Sequence, residues 1–173
     1  EYCKKVGIDF LSTPFDDDAI EFLDPLVPFY KIASADLTNI PFLRKVASKG
    51  KPVVLSTGAS TLGEIDTAVE VLKHAGCMEL ALLHCILNYP TDNVNANLGM
   101  ITGLKRAYPD MVIGYSDHTL GTDVGIASAA TGACVLEKHF TLDRNLPGPD
   151  HRASSEPEEL KRLISGVRTV EIA

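Results

Sequence analysis

Six short apolar runs, each followed by a stretch of helical periodicity, constrain this chain more than any other feature. They occupy residues 8–11, 29–33, 52–55, 80–83, 111–113 and 133–136, and their starts lie about 21 to 31 residues apart. One strand and one returning helix need about that length. Continuous apolar runs of this size suit strands covered on both faces, as in a parallel sheet. Two architectures satisfy the pattern, a doubly wound open sheet and a (β/α)8 barrel. No G-x-G-x-x-G turn follows the first run, which argues against a dinucleotide fold. A barrel uses about 31 residues per unit, so the 173 residues here hold about six units rather than eight.

The segments between the runs carry helix signals. Thr61-x-x-Glu64 reads as a capping box ahead of Ile65, Ala68, Val69 and Leu72, with Gly76 at the C-terminal glycine position. Ser155-x-x-Glu158 reads the same way before Leu160, Leu163 and Val167. Asn97 or Asn95 is expected to cap a helix over 98–107 that Pro109 ends. Residues 121–132 are rich in small side chains and predict a closely packed helix. Residues 143–155 form the longest irregular stretch.

Charge narrows the function classes. A net charge of −7 argues against nucleic acid, whose phosphates call for lysine and arginine stripes. It leaves an anionic small substrate open, because a site can oppose the global sign. Cys3, Cys77, Cys85 and Cys134 have no C-x-x-C spacing, and Cys85 and Cys134 lie within apolar runs, so the reading is reduced, buried thiols in a cytoplasmic protein. No apolar stretch reaches the ~18 residues a membrane span needs. The sequence opens on Glu1 without a methionine, and it is read as cut at both ends.

Polar residues collect where the runs end. They are Ser12 and Thr13, Ser34 with Lys31 inside its run, Ser56 and Thr57, and His84 followed by Asn88 and Tyr89. The last two runs give Ser116-Asp117-His118 and Glu137-Lys138-His139. In parallel α/β architectures the C-terminal strand ends share the side on which ligands bind. The plainer reading makes Ser12, Thr13, Ser56 and Thr57 helix caps. His118 and His139 are candidates for a shared divalent ion, with Glu137 on the same strand face as His139. A histidine pair for proton transfer or phosphate binding is the alternative. His74 reads as solvated and His84 as a satisfied core histidine. Lys31, flanked by Tyr30 and Ile32, either points to solvent or meets an anion, as a Schiff base or a phosphate or carboxylate ligand. Hydroxyls of Thr13, Ser34, Ser56 and Ser116 suit the same anion. Asp117 either orients a histidine or caps the turn that follows.

FLSTPFD, YKIASAD, GKPVVLSTGAST, LLHC with NYPT, IGYSDHTLG and LEKHFTLDRNLPGPDH stand here in the order seen in the sialic acid synthase family. The chain resembles that family along nearly its whole length. The resemblance implies a (β/α)8 barrel of which residues 1–173 cover about strands three to eight. The first two strands and a C-terminal antifreeze-like domain are expected to lie outside it. It implies condensation of phosphoenolpyruvate with N-acetylmannosamine or a related acetamido sugar, giving a nine-carbon 2-keto acid and phosphate. It assigns His118 and His139 to a divalent ion, typically Mn²⁺, with Mg²⁺ or Co²⁺ as substitutes. Lys31, Thr13, Ser34, Ser56 and Ser116 match positions around phosphoenolpyruvate, with Lys31 also catalytic. Asp150 matches a catalytic acid that binds the amino sugar, and Tyr89 lies beside it. Asp36 stands where users of N-acetylmannosamine often carry glutamate. A homodimer is implied for the full-length protein, and the 173 residues alone are expected to be inactive. A Schiff-base aldolase using Lys31 and a non-catalytic sugar- or phosphate-binding segment are the rival readings.

Overall fold

The structure is a computed structural model that describes all 173 residues. Five strands are hydrogen-bonded in chain order, β1 through β5, with helices between them. The chain divides into two compact units, Glu1–Leu82 and Leu83–Ala173. No helix is long and apolar enough to cross a membrane.

In the first unit, α1 (Tyr2–Val6) and α2 (Asp17–Leu23) precede β1 (Tyr30–Ile32), followed by α3 (Ile40–Ala47), β2 (Val53–Ser56) and α4 (Leu62–His74). β1 and β2 run parallel with Lys31 opposite Val54. The pleat sends Tyr30 and Ile32 to one side, where both are fully buried, and Lys31 to the other. Tyr30 ends in hydrogen bonds rather than in apolar surroundings, since its hydroxyl donates to the Ile20 carbonyl (2.9 Å) and the Asp24 carboxylate (3.1 Å). α4 begins with the expected capping box, in which Glu64 N–H donates to the Thr61 hydroxyl and Thr61 N–H to the Glu64 carboxylate. Ile65, Ala68, Val69 and Leu72 form its buried stripe.

The second unit holds α5 (Gly99–Ala107), β4 (Val112–Asp117), α6 (Asp123–Ala130), β5 (Leu136–Lys138) and α7 (Pro157–Glu171). β3 (Leu80–Cys85), buried at every residue, precedes them. β4 and β5 are parallel, with Ser116 opposite Glu137 and Asp117 opposite Lys138. Gly114 permits this approach, since a Cβ there would sit 2.5 Å from the Val135 carbonyl oxygen. α7 packs on α6, and Leu163 is buried from the α7 side.

Four local expectations differ from the structure. Cys85 is buried as expected, but Cys134 is exposed, because β5 begins only at Leu136 and leaves it in the preceding turn. Residues 8–11 are not a strand; Ile8, Phe10 and Leu11 are exposed, so no burial offsets the entropy of ordering them. The helix after residue 155 is capped one position later, by a box of Glu156 and Glu159. Ser155 is drawn into extended pairing instead: its N–H donates to the His139 carbonyl and its own carbonyl accepts from Thr141. Neither Asn95 nor Asn97 caps α5. Asn97 has φ of 47°, outside the extended conformation a capping residue adopts, and Leu98 takes the position with no side-chain bond.

Candidate active site

The helix-cap explanation for the polar strand ends fails at four residues. Asp16 caps α2 by accepting from Ala19 N–H at 2.7 Å, which leaves Ser12 and Thr13 out of the cap. Thr61 caps α4, which does the same for Ser56 and Thr57. Ser56 is instead the acceptor of a 2.8 Å bond from the Lys31 ammonium, which also reaches the Ile32 carbonyl at 3.0 Å. Ser34, buried in the 3₁₀ turn after β1, accepts from Gly58 N–H at 2.9 Å. In the first unit Lys31 and Ser56 are therefore joined, and Ser34 is tied to the turn that follows β2. Asp36 is half-buried at the end of the 3₁₀ turn, and Thr13 is half-buried ahead of α2.

In the second unit the period of two does the positioning. Ser116 and His118 leave β4 on one side, and Glu137 and His139 leave β5 on that same side. The Ser116 hydroxyl donates to the Glu137 carboxylate at 2.8 Å. The His118 and His139 rings stand 5.2 Å apart, edge to face at 80°. Tyr89 lies over both, with centroids 4.0 Å from His118 and 5.6 Å from His139. Asp150 brings a carboxylate oxygen to 3.7 Å from His139 Nδ1, and its side chain is 55% exposed. It is held at the head of a short 3₁₀ turn, where Ser154 donates to the Asp150 carbonyl. His118, His139, Tyr89 and Asp150 thus come together, and Ser116 is joined to Glu137 on the same side of the strands.

Hydrogen bonding fixes the chemistry of His118. Its Nδ1 lies 2.7 Å from the Ile86 carbonyl, an acceptor only, so Nδ1 carries the proton and the Nε2 lone pair is left for a ligand. Burial holds the His118 pKa below the ordinary histidine value; the Ile86 carbonyl opposes this and His139 adds to it. A neutral imidazole is the form that binds metal. Tyr89 is pushed up, first by burial and then by Cys85, Asp150 and Glu137. No group of three or more His, Cys, Asp or Glu side chains is arranged around a single ion position. The donor set is two imidazoles, which suits a borderline divalent ion whose remaining positions stay open.

His84 is a core histidine: it is buried, its Nε2–H donates to the Ala96 carbonyl at 2.9 Å, and it stacks on Tyr115. Asp117 forms no hydrogen bond with a histidine ring. One of its oxygens accepts from the Thr119 N–H (2.9 Å) and hydroxyl (2.8 Å), capping the turn, and the other accepts from Lys138 at 2.8 Å. The sequence places Lys138 among the polar strand ends, but its pairing with Asp117 is not among the roles read from it. The signal was present, since positions 117 and 138 alternate with Ser116 and His118 and with Glu137 and His139, and carry opposite charges.

The whole of residues 1–173 matches the NeuB family. The chain belongs to the NeuB family. It is 46% identical to N,N'-diacetyllegionaminic acid synthase of Campylobacter jejuni over 99% of this chain and 52% of that protein. It is 39% identical to N-acetylneuraminate-9-phosphate synthase of Drosophila melanogaster over 99% of this chain and 46% of that protein. The crystal structure of spore coat polysaccharide biosynthesis protein SpsE from Bacillus subtilis superposes with a TM-score of 0.95 at 35% identity, covering 99% of this chain and 48% of that one. This NeuB chain therefore spans about half the length of the curated relatives it matches. Its fold class is α/β, a parallel sheet in sequential order as in part of a (β/α)8 barrel.

Proposed function

We propose that the protein carrying this chain condenses phosphoenolpyruvate with an N-acetylated amino sugar, releasing phosphate and a nine-carbon 2-keto acid. The observation that carries the reading is the convergence of His118 and His139 at 5.2 Å, with Tyr89 and the open carboxylate of Asp150 beside them. His118 and His139 would hold a divalent ion, Mn²⁺ first and Mg²⁺ or Co²⁺ as substitutes. When bound, such an ion supplies a Lewis acid for the sugar's aldehyde group.

The remaining work falls to the chain's own side chains. Lys31 brings a positive charge from the middle of β1, which suits the phosphate or carboxylate of phosphoenolpyruvate. Ser56, Ser34 and Thr13 add hydroxyls for the same anion. Asp150 accepts from sugar hydroxyls, fixing which face of the aldehyde is attacked. In the overall reaction C3 of phosphoenolpyruvate bonds to the aldehyde carbon, water oxygen adds at C2, and the bond from C2 to the phosphate oxygen breaks.

Asp36, in place of a glutamate, together with the similarity to a legionaminic acid synthase, favours a diacetamido sugar over N-acetylmannosamine or its 6-phosphate. A homodimer and a cytoplasmic location belong to the same reading. The test is phosphate release and product mass in the full-length protein with phosphoenolpyruvate, Mn²⁺ and each of the three sugars. Release that requires both sugar and Mn²⁺, and is lost with metal content in His118→Ala and His139→Ala, supports it. Release with no sugar, or variants that keep both metal and activity, overturns it.

A further inference from the structure

Lys138 and Asp117 form an ion pair at 2.8 Å whose two side chains are 4% and 0% exposed. They lie on the side of β4 and β5 opposite Ser116, His118, Glu137 and His139. α6 approaches this pair through Gly125, where a Cβ would stand 3.1 Å from the Asp117 carboxylate and 2.8 Å from Leu163. The Lys138 ammonium also donates to the Thr119 carbonyl. Thr119 N–H and hydroxyl donate to Asp117, and Thr119 is bridged to Thr91, whose N–H donates to the His118 carbonyl at 2.8 Å. One network thus joins β4, β5 and the segment from Thr91 immediately behind the two histidines.

Burying two charges in this place is costly, and an apolar pair of the same size would serve stability as well or better. What the pair provides is register. Ser116 pairs with Glu137 and Asp117 with Lys138, and β5 has only three residues with which to hold that alignment. A slip of one residue turns every side chain of a strand to the other face. Here it would place Lys138 among the histidines and bury His139 under α6. A buried lysine whose partner lies directly opposite on the next strand penalises that slip in a way that Leu136 does not.

We propose that the Asp117–Lys138 pair is a positioning device, which sets the β4–β5 register from behind and so fixes the distance and ring angle between His118 and His139. The proposal rests on the reading of those histidines as the ion-binding pair, and two readouts keep the two ideas apart. The first is Mn²⁺ affinity by titration, in wild type, Lys138→Met, Lys138→Arg and the double variant Asp117→Asn/Lys138→Met. The second is the set of ring resonances of His118 and His139 in metal-free protein. Lys138→Met should weaken Mn²⁺ binding by about ten- to hundredfold, the range for groups that orient metal ligands, and should shift or broaden both ring signals. Lys138→Arg should restore most of each. The double variant removes the unpaired buried charge and so keeps the chain folded if Lys138→Met does not. It should retain the binding defect. Folded variants with wild-type ring signals and Mn²⁺ affinity within twofold of wild type overturn the proposal. If wild type itself binds no Mn²⁺, the metal reading falls and the ring signals alone decide the positioning role.

Discussion

The Lys31 ammonium donates to the Ser56 hydroxyl at 2.8 Å, across paired strands whose register places Lys31 opposite Val54. Lys31 is the cation that the proposed reaction sets against the anionic substrate, and the same contact orients the Ser56 hydroxyl. Lys31→Met should therefore lower kcat/KM for phosphoenolpyruvate by about a hundredfold or more, the usual effect of losing one charge-stabilising donor. Ser56→Ala should act in the same direction and more weakly, through KM. Borohydride with pyruvate checks the rival chemistry: the mass of the protein should stay unchanged, whereas an adduct on Lys31 would indicate a Schiff-base aldolase.

The capping box of α4 makes a second prediction, about stability alone. Thr61 accepts from Glu64 N–H at 3.3 Å and its own N–H donates to Glu64 at 2.7 Å. Thr61→Ala should cost about 1 kcal/mol, read as a lower urea midpoint with an unchanged slope. Activity should persist where the protein remains folded, because Thr61 lies outside every cluster described above.

That capping box was legible in the sequence because its partners are three residues apart and its geometry is local. The same holds for five of the six strands and for the polar strand ends. The first run was not, since residues 8–11 have the composition of a strand and lack the burial that makes one. Ser155 was misread for a related reason: its spacing to Glu158 fits a cap, but pairing with Phe140 claims its backbone first. At the site, the two histidines were visible as residue types at strand ends. The Ile86 carbonyl that sets the tautomer of His118, and Lys138 behind Asp117, depend on contacts 32 and 21 residues away in sequence. No local pattern encodes the first, and for the second the alternation and opposite charges show only that a pairing is available.

Two glycines of the second unit should respond to alanine in opposite ways. A Cβ on Gly114 meets the Val135 carbonyl oxygen and the Leu83 side chain, each at 2.5 Å. The carbonyl belongs to backbone that pairs with β4 and cannot give way alone. Gly114→Ala should destabilise by about 3 kcal/mol, the upper part of the overpacking range, and should perturb His118 four residues further along. Gly103 lies on the exposed side of α5 with nothing within 4 Å of its added Cβ. Gly103→Ala should stabilise by about 0.5–1 kcal/mol through helix propensity. Paired urea titrations of the two variants check both signs.

His84 sets the direction of the pH dependence. Burial lowers its pKa from the ordinary value of 6.5, against a smaller opposing effect of the Ala96 carbonyl, and burial lowers that of His118 as well. Below about pH 6.5 the unfolded chain therefore takes up protons that the folded chain does not, so stability falls as pH drops. Above that value both states are neutral at these rings and the dependence flattens. Urea midpoints measured from about pH 7.5 down to 5.5 should decline for wild type, in a window where carboxylates have not begun to protonate. His84→Gln removes one of the two groups while keeping an N–H donor toward Ala96, and its decline should be shallower. Midpoints that rise toward pH 5.5 would show instead that the folded chain holds these protons more tightly than the unfolded one, and that burial does not govern either ring.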